Sequence, residues 1–270
     1  MTLPRSLSQQ MSLPLIGAPL FIISNPALVI AQCRAGIIGS FPALNARPET
    51  LLDDWLCEIK EALAEPSDTP VAPFAINQIC RPSNTRLEHD VRLCVKHKVP
   101  IVITSLSPPR EIVQAVHSYG GMVFHDVINV RHAKKAAEQG VDGLILVAAG
   151  AGGHAGPLSP FALVQEVRQW FDGVIILSGA IATGDAIAAS LAMGADLAYS
   201  GTKFIATTEA NADSAYKQML VDSAASDILC SSLFTGIHGN YLTPSIERAG
   251  LDPKNLPEGD KSDMNFEKIS

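Results

Sequence analysis

Residues 143–204 read GLILVAAGAGGHAGPLSPFALVQEVRQWFDGVIILSGAIATGDAIAASLAMGADLAYSGTKF, the most regular pattern in the chain. Three short apolar runs, at residues 143–149, 174–178 and 197–200, are separated by helical patterns, and each run ends in glycine or small polar residues. Strands that are apolar on both faces are typical of a buried parallel sheet. The stretch therefore predicts a strand, a loop and a helix in repeated order.

The same alternation continues toward the N-terminus. Asn25 is predicted to cap a helix that starts at Pro26. Eight strands alternating with helices without a break favour a closed parallel barrel, the α/β TIM or (β/α)8 barrel, over an open sheet. The five further strand-like runs are residues 15–20, 36–41, 71–77, 101–105 and 122–126.

Three segments are predicted along the chain. Residues 1–12 are polar and unpatterned, and we expect a mobile N-terminal arm. Residues 13–210 hold the barrel. Residues 211–270 contain helical patterns near 211–223 and 244–249 within a region rich in Gly, Pro, Asn and charge. That region predicts a C-terminal extension that lies across the barrel mouth or along its outer wall, as lids do.

Composition limits the function classes. The chain has 270 residues, of which 47% are hydrophobic, enough for one large domain with an ample core. A net charge of −7 argues against a nucleic-acid partner. No run of eighteen apolar residues predicts a membrane span, and the N-terminus lacks a signal-peptide pattern. We therefore expect a cytoplasmic protein that acts on a small molecule.

The cysteines do not predict a metal centre. They are five in number, scattered, and without the spacing of a Cys or His ligand set. In a reducing cytoplasm they are expected to be buried thiols. They are Cys33, Cys57, Cys80, Cys94 and Cys230.

Chemistry is expected at the C-terminal ends of the strands, where a barrel carries its active site. Residues 149–156 include four glycines and one ionisable side chain, His154. A lone histidine among small residues is more often structural, but this position just past a strand end favours a catalytic role.

The next two strand ends indicate an anion site. Backbone N–H groups at glycine turns bind anions, and in TIM barrels a phosphate frequently lies at the loops after the seventh and eighth strands. A single glycine or small residue at such a position commonly does no more than end a strand before a helix. Two such clusters at successive strand ends favour phosphate binding. The residues are Gly179, Ala180, Gly201 and Thr202.

Three ordered motifs resemble the nitronate monooxygenase family, formerly called 2-nitropropane dioxygenases. They are APLFIISNPALVIAQCRAGIIGSF at 18–41, AGAGGHAG at 149–156 and SGAIATGDAIAASLAMGADLAYSGTKF at 178–204, and the resemblance runs over about residues 13–239. Members are FMN-dependent TIM barrels, so the resemblance implies FMN in residues 13–210. It implies that His154 is the catalytic base and that FMN phosphate lies at Gly179 and Gly201. Ala180 stands where the family typically has a second glycine.

Further cofactor contacts follow from the same resemblance. It places Ala18, Pro19 and Leu20 along the isoalloxazine ring, with Leu20 where methionine is common. Asn77, at the end of the third predicted strand, is expected to bond the pyrimidine edge or, as the plainer alternative, to be an exposed turn residue. Asp126 stands where some relatives carry lysine, and we expect it to accept from the ribityl hydroxyls. The predicted set is completed by Ala149, Gly152, Gly153 and Ser178.

The other histidines are assigned lesser roles. If Asp126 points into the barrel, strand alternation directs His125 away from the mouth, so His125 is expected to be structural. His238 reaches the site if the lid folds over it. The histidines expected to be ordinary solvated residues on outer helices are His89, His97, His117 and His132.

The implied activity is oxidation of alkyl nitronates with O₂ to carbonyl compounds and nitrite, with nitroalkanes used after deprotonation by His154. A homodimer is a further expectation. Related barrels that share the glycine–histidine loop reduce quinones with NADH or reduce enoyl thioesters, so these reactions are the alternatives. A barrel that binds a phosphorylated ligand without catalysis, or an inactive truncated relative, is the alternative outside enzymes.

Overall fold

The computed structural model describes residues 3–259. Its strands are β1 (Leu15–Gly17), β2 (Gly39–Pro42), β3 (Phe74–Cys80), β4 (Ile101–Leu106), β5 (Met122–Val127), β6 (Gly143–Val147), β7 (Gly153–His154), β8 (Val174–Ser178), β9 (Leu197–Ser200), β10 (Ile228–Ser231) and β11 (Gly239–Leu242). Its helices are α1 (Arg5–Ser8), α2 (Pro26–Arg34), α3 (Leu51–Ala64), α4 (Leu87–His97), α5 (Arg110–His117), α6 (Val130–Ala137), α7 (Pro160–Arg168), α8 (Gly184–Ala192), α9 (Thr202–Ile205), α10 (Ser214–Asp222) and α11 (Thr243–Arg248).

Eight parallel strands form the barrel in the order β1-β9-β8-β6-β5-β4-β3-β2. A parallel bridge between Ile16 and Ile38 joins the two end strands, and the Gly17 N–H donates to the Ile38 carbonyl at 2.8 Å. The sheet therefore closes on itself with α2 to α9 following its strands, and the predicted TIM barrel is confirmed.

Strand alternation produces two apolar layers. Ile101 and Ile103 face the barrel interior, while Val102 between them packs toward the helices. In the same way Ile145 points inward and Leu144 points outward. Because each strand is buried on both faces, its sequence is apolar without polar alternation.

Burial in the outer layer predicts a stability effect. Leu144→Ala is expected to lower the free energy of unfolding by about 2–5 kcal/mol, because the side chain is fully buried against the helices and its removal leaves a cavity. Val221→Ala on α10 is the control, since Val221 is 68% exposed and should change stability by under about 0.5 kcal/mol. Urea unfolding measures both variants, and equal losses would contradict the packing described.

Three strands have bounds that differ from the predicted ones. β2 begins at Gly39 rather than at residue 36. β3 begins at Phe74 rather than at residue 71, because Pro73 cannot donate to a sheet ladder. β3 also continues to Cys80, so Asn77 lies within it rather than at its end. β1 likewise ends at Gly17, before Pro19.

The N-terminal arm is also a correction over its described part. Residues Arg5–Ser8 form the helical turn α1, and Leu7, only 3% exposed, packs with the residues that fill the barrel interior. One apolar residue per turn was too weak a pattern to predict this contact.

Two predictions about exposure were wrong. Cys57 and Cys230 are exposed, whereas Cys33, Cys80 and Cys94 are buried, and burial raises the pKa of each of these three thiols to about 12. His97 is only 7% exposed, and its Nε2 lies 2.6 Å from Asp53 Oδ1, because the end of α4 packs against α3.

The C-terminal region contains more structure than the sequence predicted. Helices α10 and α11 occupy the two expected regions, but β10 and β11 also pair with β7 in an antiparallel sheet of order β10-β11-β7. The lid segment, defined as residues 228–242, is thereby attached to the loop after β6. The end of the predicted extension, residues 260–270, lies outside the described residues.

Between residues 3 and 259, none of the helices combines the length and the apolar character that crossing a bilayer requires.

Candidate active site at the barrel mouth

The loops after β6 and β8 contact each other at the mouth. The Ala180 N–H donates to the Gly150 carbonyl at 3.0 Å, and a Cβ placed on Gly150 would lie 3.1 Å from Ala180 Cβ. Gly179 has φ of +142°, and a Cβ there would lie 2.7 Å from the Ala149 carbonyl oxygen. Only glycine fits at position 179 without displacing backbone.

This contact changes the predicted role of Ala180. Its amide was expected to donate to an anion, but it is bonded to the neighbouring loop instead. Ala180 also has φ of +54°, in the left-handed region that favours glycine. The amides of Gly179, Gly201 and Thr202 are left as the predicted donors.

The loops after β1 and β9 close the same side of the mouth. A Cβ on Gly201 would lie 3.2 Å from Leu20 Cδ2 and 3.5 Å from Ala18 Cβ, and one on Gly152 would lie 3.1 Å from Thr202 Oγ1. The predicted residues of four separate loops are therefore neighbours. Pro19, half-buried, lies between Ala18 and Leu20.

His154 is held by the lid. As part of β7 it pairs with Gly239, and its Nε2 lies 2.8 Å from Thr235 Oγ1. The Thr235 hydroxyl donates to the Ile237 carbonyl at 3.1 Å, so it accepts from an Nε2–H of His154. This network assigns the neutral tautomer with an unprotonated Nδ1.

The environment of His154 favours the neutral ring. Desolvation by its neighbours lowers the pKa of His154 below 6.5, although the residue as a whole is exposed to solvent at the barrel mouth. The imidazole is therefore mostly neutral at pH 7, the form that accepts a proton.

Two further contacts hold the histidine loop to the lid. Asn240 Nδ2 donates to the Ala151 carbonyl at 2.7 Å, and the Ala155 N–H donates to the His238 carbonyl at 3.4 Å. His238 thus reaches the loop through its backbone. It also borders a cavity of about 230 Å³ that Cys230 and the C-terminal segment line.

A polar chain crosses β3, β4 and β5. Asn77 Nδ2 donates to Ser105 Oγ at 2.9 Å, and Ser105 Oγ donates to Asp126 Oδ2 at 2.5 Å. Asp126 Oδ1 is buried and has no hydrogen-bond partner among the described residues. Burial raises the pKa of Asp126 to about 6.

The buried histidine and the site serines have structural contacts. His125 Nδ1 lies 2.8 Å from Thr104 Oγ1, and burial lowers the pKa of His125 to about 4. Thr104 and Ser105 are consecutive, so His125 and Asp126 point to opposite faces, as predicted. Ser178 is buried at the end of β8, and Ser200 Oγ donates to the Ile181 carbonyl at 2.6 Å.

Sequence reasoning missed Thr235 and Ser105. Ser105 carried a detectable pattern, because it is a polar residue at the end of an apolar strand. For Thr235 the sequence gives no signal other than its position in the TGIHGNY run of the lid. Across residues 3–259, no three His, Cys, Asp or Glu side chains lie together in a way that would hold a metal ion.

A family model described as nitronate monooxygenase matches residues 6–248 of the chain. The chain belongs to the nitronate monooxygenase family. This confirms the resemblance predicted from the motifs, which is to a family of flavin oxidoreductases.

Relatives in the family carry different names. A nitronate monooxygenase of Paraburkholderia phytofirmans is 26% identical, over 89% of this chain and 76% of the relative. A (3aS,4S,5R,7aS)-5-hydroxy-7a-methyl-1-oxo-octahydro-1H-indene-4-carboxyl-CoA dehydrogenase of Rhodococcus jostii is 24% identical, over 88% of this chain. The chain spans only 65% of that dehydrogenase.

Solved structures share the barrel. FabK from Thermotoga maritima superposes with a TM-score of 0.77 at 22% identity, covering 96% of this chain and 88% of FabK. A nitroalkane oxidase from Streptomyces ansochromogenes has a TM-score of 0.77 at 23% identity, covering 88% and 79%. At these identities the likeness establishes the fold.

Proposed function

We propose that this protein binds FMN at the barrel mouth and oxidises alkyl nitronates with O₂ to carbonyl compounds and nitrite. Nitroalkanes enter the same reaction after His154 removes a proton. The observation that carries the proposal is the position of His154: its Nε2 contacts Thr235 of the lid, and it lies in the glycine loop whose Gly152 approaches Thr202.

The residues at the mouth fit a flavin mononucleotide. Gly179, Gly201 and Thr202 would hold the phosphate through backbone N–H groups. A Cβ on Gly201 would lie only 3.2 Å from Leu20 Cδ2. The absence of a side chain there leaves the backbone open to close approach by a ligand. Gly152, Gly153 and Ala149 would shape the loop beside the ring.

The remaining contacts fit the two ends of the ring system. Ala18, Pro19 and Leu20 would supply an apolar wall. Asn77 and the unpartnered Asp126 Oδ1 would supply polar contacts to the pyrimidine edge and ribityl chain, and Ser178 a buried hydroxyl. When bound, FMN supplies the redox chemistry that side chains cannot perform.

His154 supplies the acid–base chemistry of the reaction. Its neutral Nδ1 takes the proton from the carbon beside the nitro group, an acidic position because the nitro group delocalises the resulting charge. The ring then carries a positive charge that Thr235 stabilises by accepting from Nε2–H. The imidazolium holds the nitronate anion in place by charge attraction.

Thr235 is expected to stabilise the protonated form of His154 and so to strengthen it as a base. Thr235→Val keeps the side-chain shape but removes the acceptor, so we expect kcat/KM for a nitroalkane to fall about 10- to 30-fold, because a hydrogen bond to a partly exposed charged group contributes about 1.5–2 kcal/mol. The acid limb of the pH–rate profile should shift to lower pH, since the imidazolium is less stabilised. Thr235→Ser retains the hydroxyl and is the control. A valine variant with an unshifted profile would contradict this role.

A second function has support from a specific relative. The Rhodococcus jostii relative is named as a carboxyl-CoA dehydrogenase, so a thioester substrate is the leading alternative on the same barrel. In this reaction a nicotinamide cofactor or another electron carrier would exchange electrons with the flavin. Quinone reduction by NADH belongs to the same group of alternatives.

Absorbance and oxygen consumption test the proposal. Purified protein titrated with FMN should develop a flavin spectrum shifted from that of free FMN, and the loaded protein should consume O₂ with an alkyl nitronate while NADH leaves the flavin oxidised. Rapid bleaching by NADH favours the reductase alternative. A protein that takes up no FMN would refute the proposed function and leave the phosphorylated-ligand or inactive alternative.

A further inference from the structure

We propose that Asp126 takes up a proton from solvent when FMN binds, and therefore meets the cofactor as a neutral carboxylic acid. This inference rests on the proposed function, because it requires FMN at the mouth.

The first observation is the surroundings of Asp126. Its Oδ1 is buried without a partner, and its Oδ2 accepts a single hydrogen bond, from Ser105. A buried carboxylate is stable when a cation or several N–H donors face it. Asp126 has one neutral donor.

The second observation is which groups face the carboxyl from the neighbouring strands. Cys80 approaches from β3 and Tyr199 from β9. The pKa of each is raised mainly by burial and further by the negative charge of Asp126. With Ser105 from β4, these three neighbours are uncharged. His132 and Lys135 of α6 line the same cavity as His125 and Asp126, but within the described residues neither forms a hydrogen bond or an ion pair with the Asp126 carboxyl. The partner on β6, Ile145, is apolar.

In the bare protein the pKa of Asp126 already lies near the physiological pH range. Burial raises the pKa of Asp126 to about 6, so at pH 7.5 most molecules carry the ionised form. Two effects of FMN binding oppose that form. A bound isoalloxazine ring would remove remaining water, and the phosphate would add negative charge to the mouth.

Protonation gives Asp126 a hydrogen-bond donor without loss of its existing contact. The new O–H forms on Oδ1 with a proton released by the buffer acid, while Oδ2 continues to accept from Ser105. A neutral acid can both donate to a flavin oxygen or nitrogen and accept from a hydroxyl. A carboxylate can only accept.

The affinity for FMN should therefore fall as the pH rises. Because the pKa of Asp126 is higher in the complex than in the bare protein, FMN binds most tightly below pH 6. Its Kd then rises by up to about tenfold per pH unit until the higher pKa is passed. Asp126→Asn should remove this part of the pH dependence, because the amide has the same shape and no titrating proton.

Calorimetric titration with FMN tests the inference. Binding heats measured at pH 7.5 in Pipes, Hepes and Tris, which differ in ionisation enthalpy and lack a phosphate group that could compete with FMN, give the number of protons taken up. Wild type should take up at least about half a proton more than Asp126→Asn. The difference between the two proteins cancels protons exchanged by the FMN phosphate and by His154.

Ser105→Ala provides a second variant. Loss of the Ser105 donor destabilises the carboxylate of the bare protein, so more molecules are protonated before FMN arrives and fewer protons are taken up than by wild type. Equal proton uptake by wild type and both variants would overturn the inference while leaving FMN binding intact. Failure of wild type to bind FMN would instead overturn the proposed function, and this inference with it.

Discussion

His154→Asn is expected to reduce the turnover of a nitroalkane by about 10²- to 10⁴-fold, the range for loss of a general base. Asparagine is smaller and does not reach as far as Nε2, but the backbone pairing of residue 154 with Gly239 does not depend on the side chain, so the loop and FMN binding should persist. Steady-state O₂ consumption measures the turnover, and fluorescence quenching of FMN measures the binding.

The substrate itself provides the control for His154. A preformed alkyl nitronate has already lost the proton that His154 removes, so the variant should lose much less activity with the nitronate than with the parent nitroalkane. In wild type, kcat/KM for the nitroalkane should fall as pH drops below the depressed pKa of His154, and this limb should vanish in the variant. Equal losses on both substrates would contradict a role as base.

Gly179→Ala is expected to produce the largest loss of FMN affinity among the glycine loops. The added Cβ would lie 2.7 Å from the Ala149 carbonyl oxygen at a φ of +142°. Relieving this contact moves backbone at the predicted phosphate site. A strained residue of this kind costs about 1–3 kcal/mol. If this cost is taken from the free energy of FMN binding, Kd rises roughly 5- to 150-fold.

Gly184→Ala is the matched control for that variant. Gly184 begins α8 only five residues later, and a Cβ there meets no atom within 4 Å. Alanine favours helix over glycine, so this variant should be as stable as wild type or slightly more stable and should bind FMN unchanged. FMN titration and thermal unfolding compare the pair. An affinity for Gly179→Ala within threefold of wild type would contradict the proposed phosphate site.

Local pattern was sufficient to predict the barrel. The bounds of β8 and β9 agree with the apolar runs at 174–178 and 197–200. A strand buried on both faces is apolar throughout, so its limits coincide with those of the apolar run. Asn25 caps α2 as predicted, with its side chain accepting from the Leu28 N–H. Glycine clusters at strand ends likewise identified the loops that meet at the mouth.

Contacts between distant residues could not be predicted in this way. β7 has two residues, too short for a strand pattern, and it pairs with residues 239–240, far along the chain. Thr235 acquires its position beside His154 only through that pairing. Leu7 and His97 were misjudged for a related reason, since burial of a single side chain depends on what packs over it.

Ala180 illustrates a limit of motif comparison. The motif located the loop correctly, but the direction of a backbone N–H depends on φ and ψ rather than on residue type. In the structure that amide bonds Gly150. The sequence could identify where an anion site lies but not which of its amides face the anion.

The most direct test of the central claim is anaerobic mixing of FMN-loaded protein with an alkyl nitronate, followed by absorbance at the flavin bands. We expect rapid bleaching by the nitronate, no comparable bleaching by NADH, and recovery of the oxidised spectrum with release of nitrite when O₂ is admitted. A flavin that stays oxidised with nitronate but bleaches with NADH would contradict it.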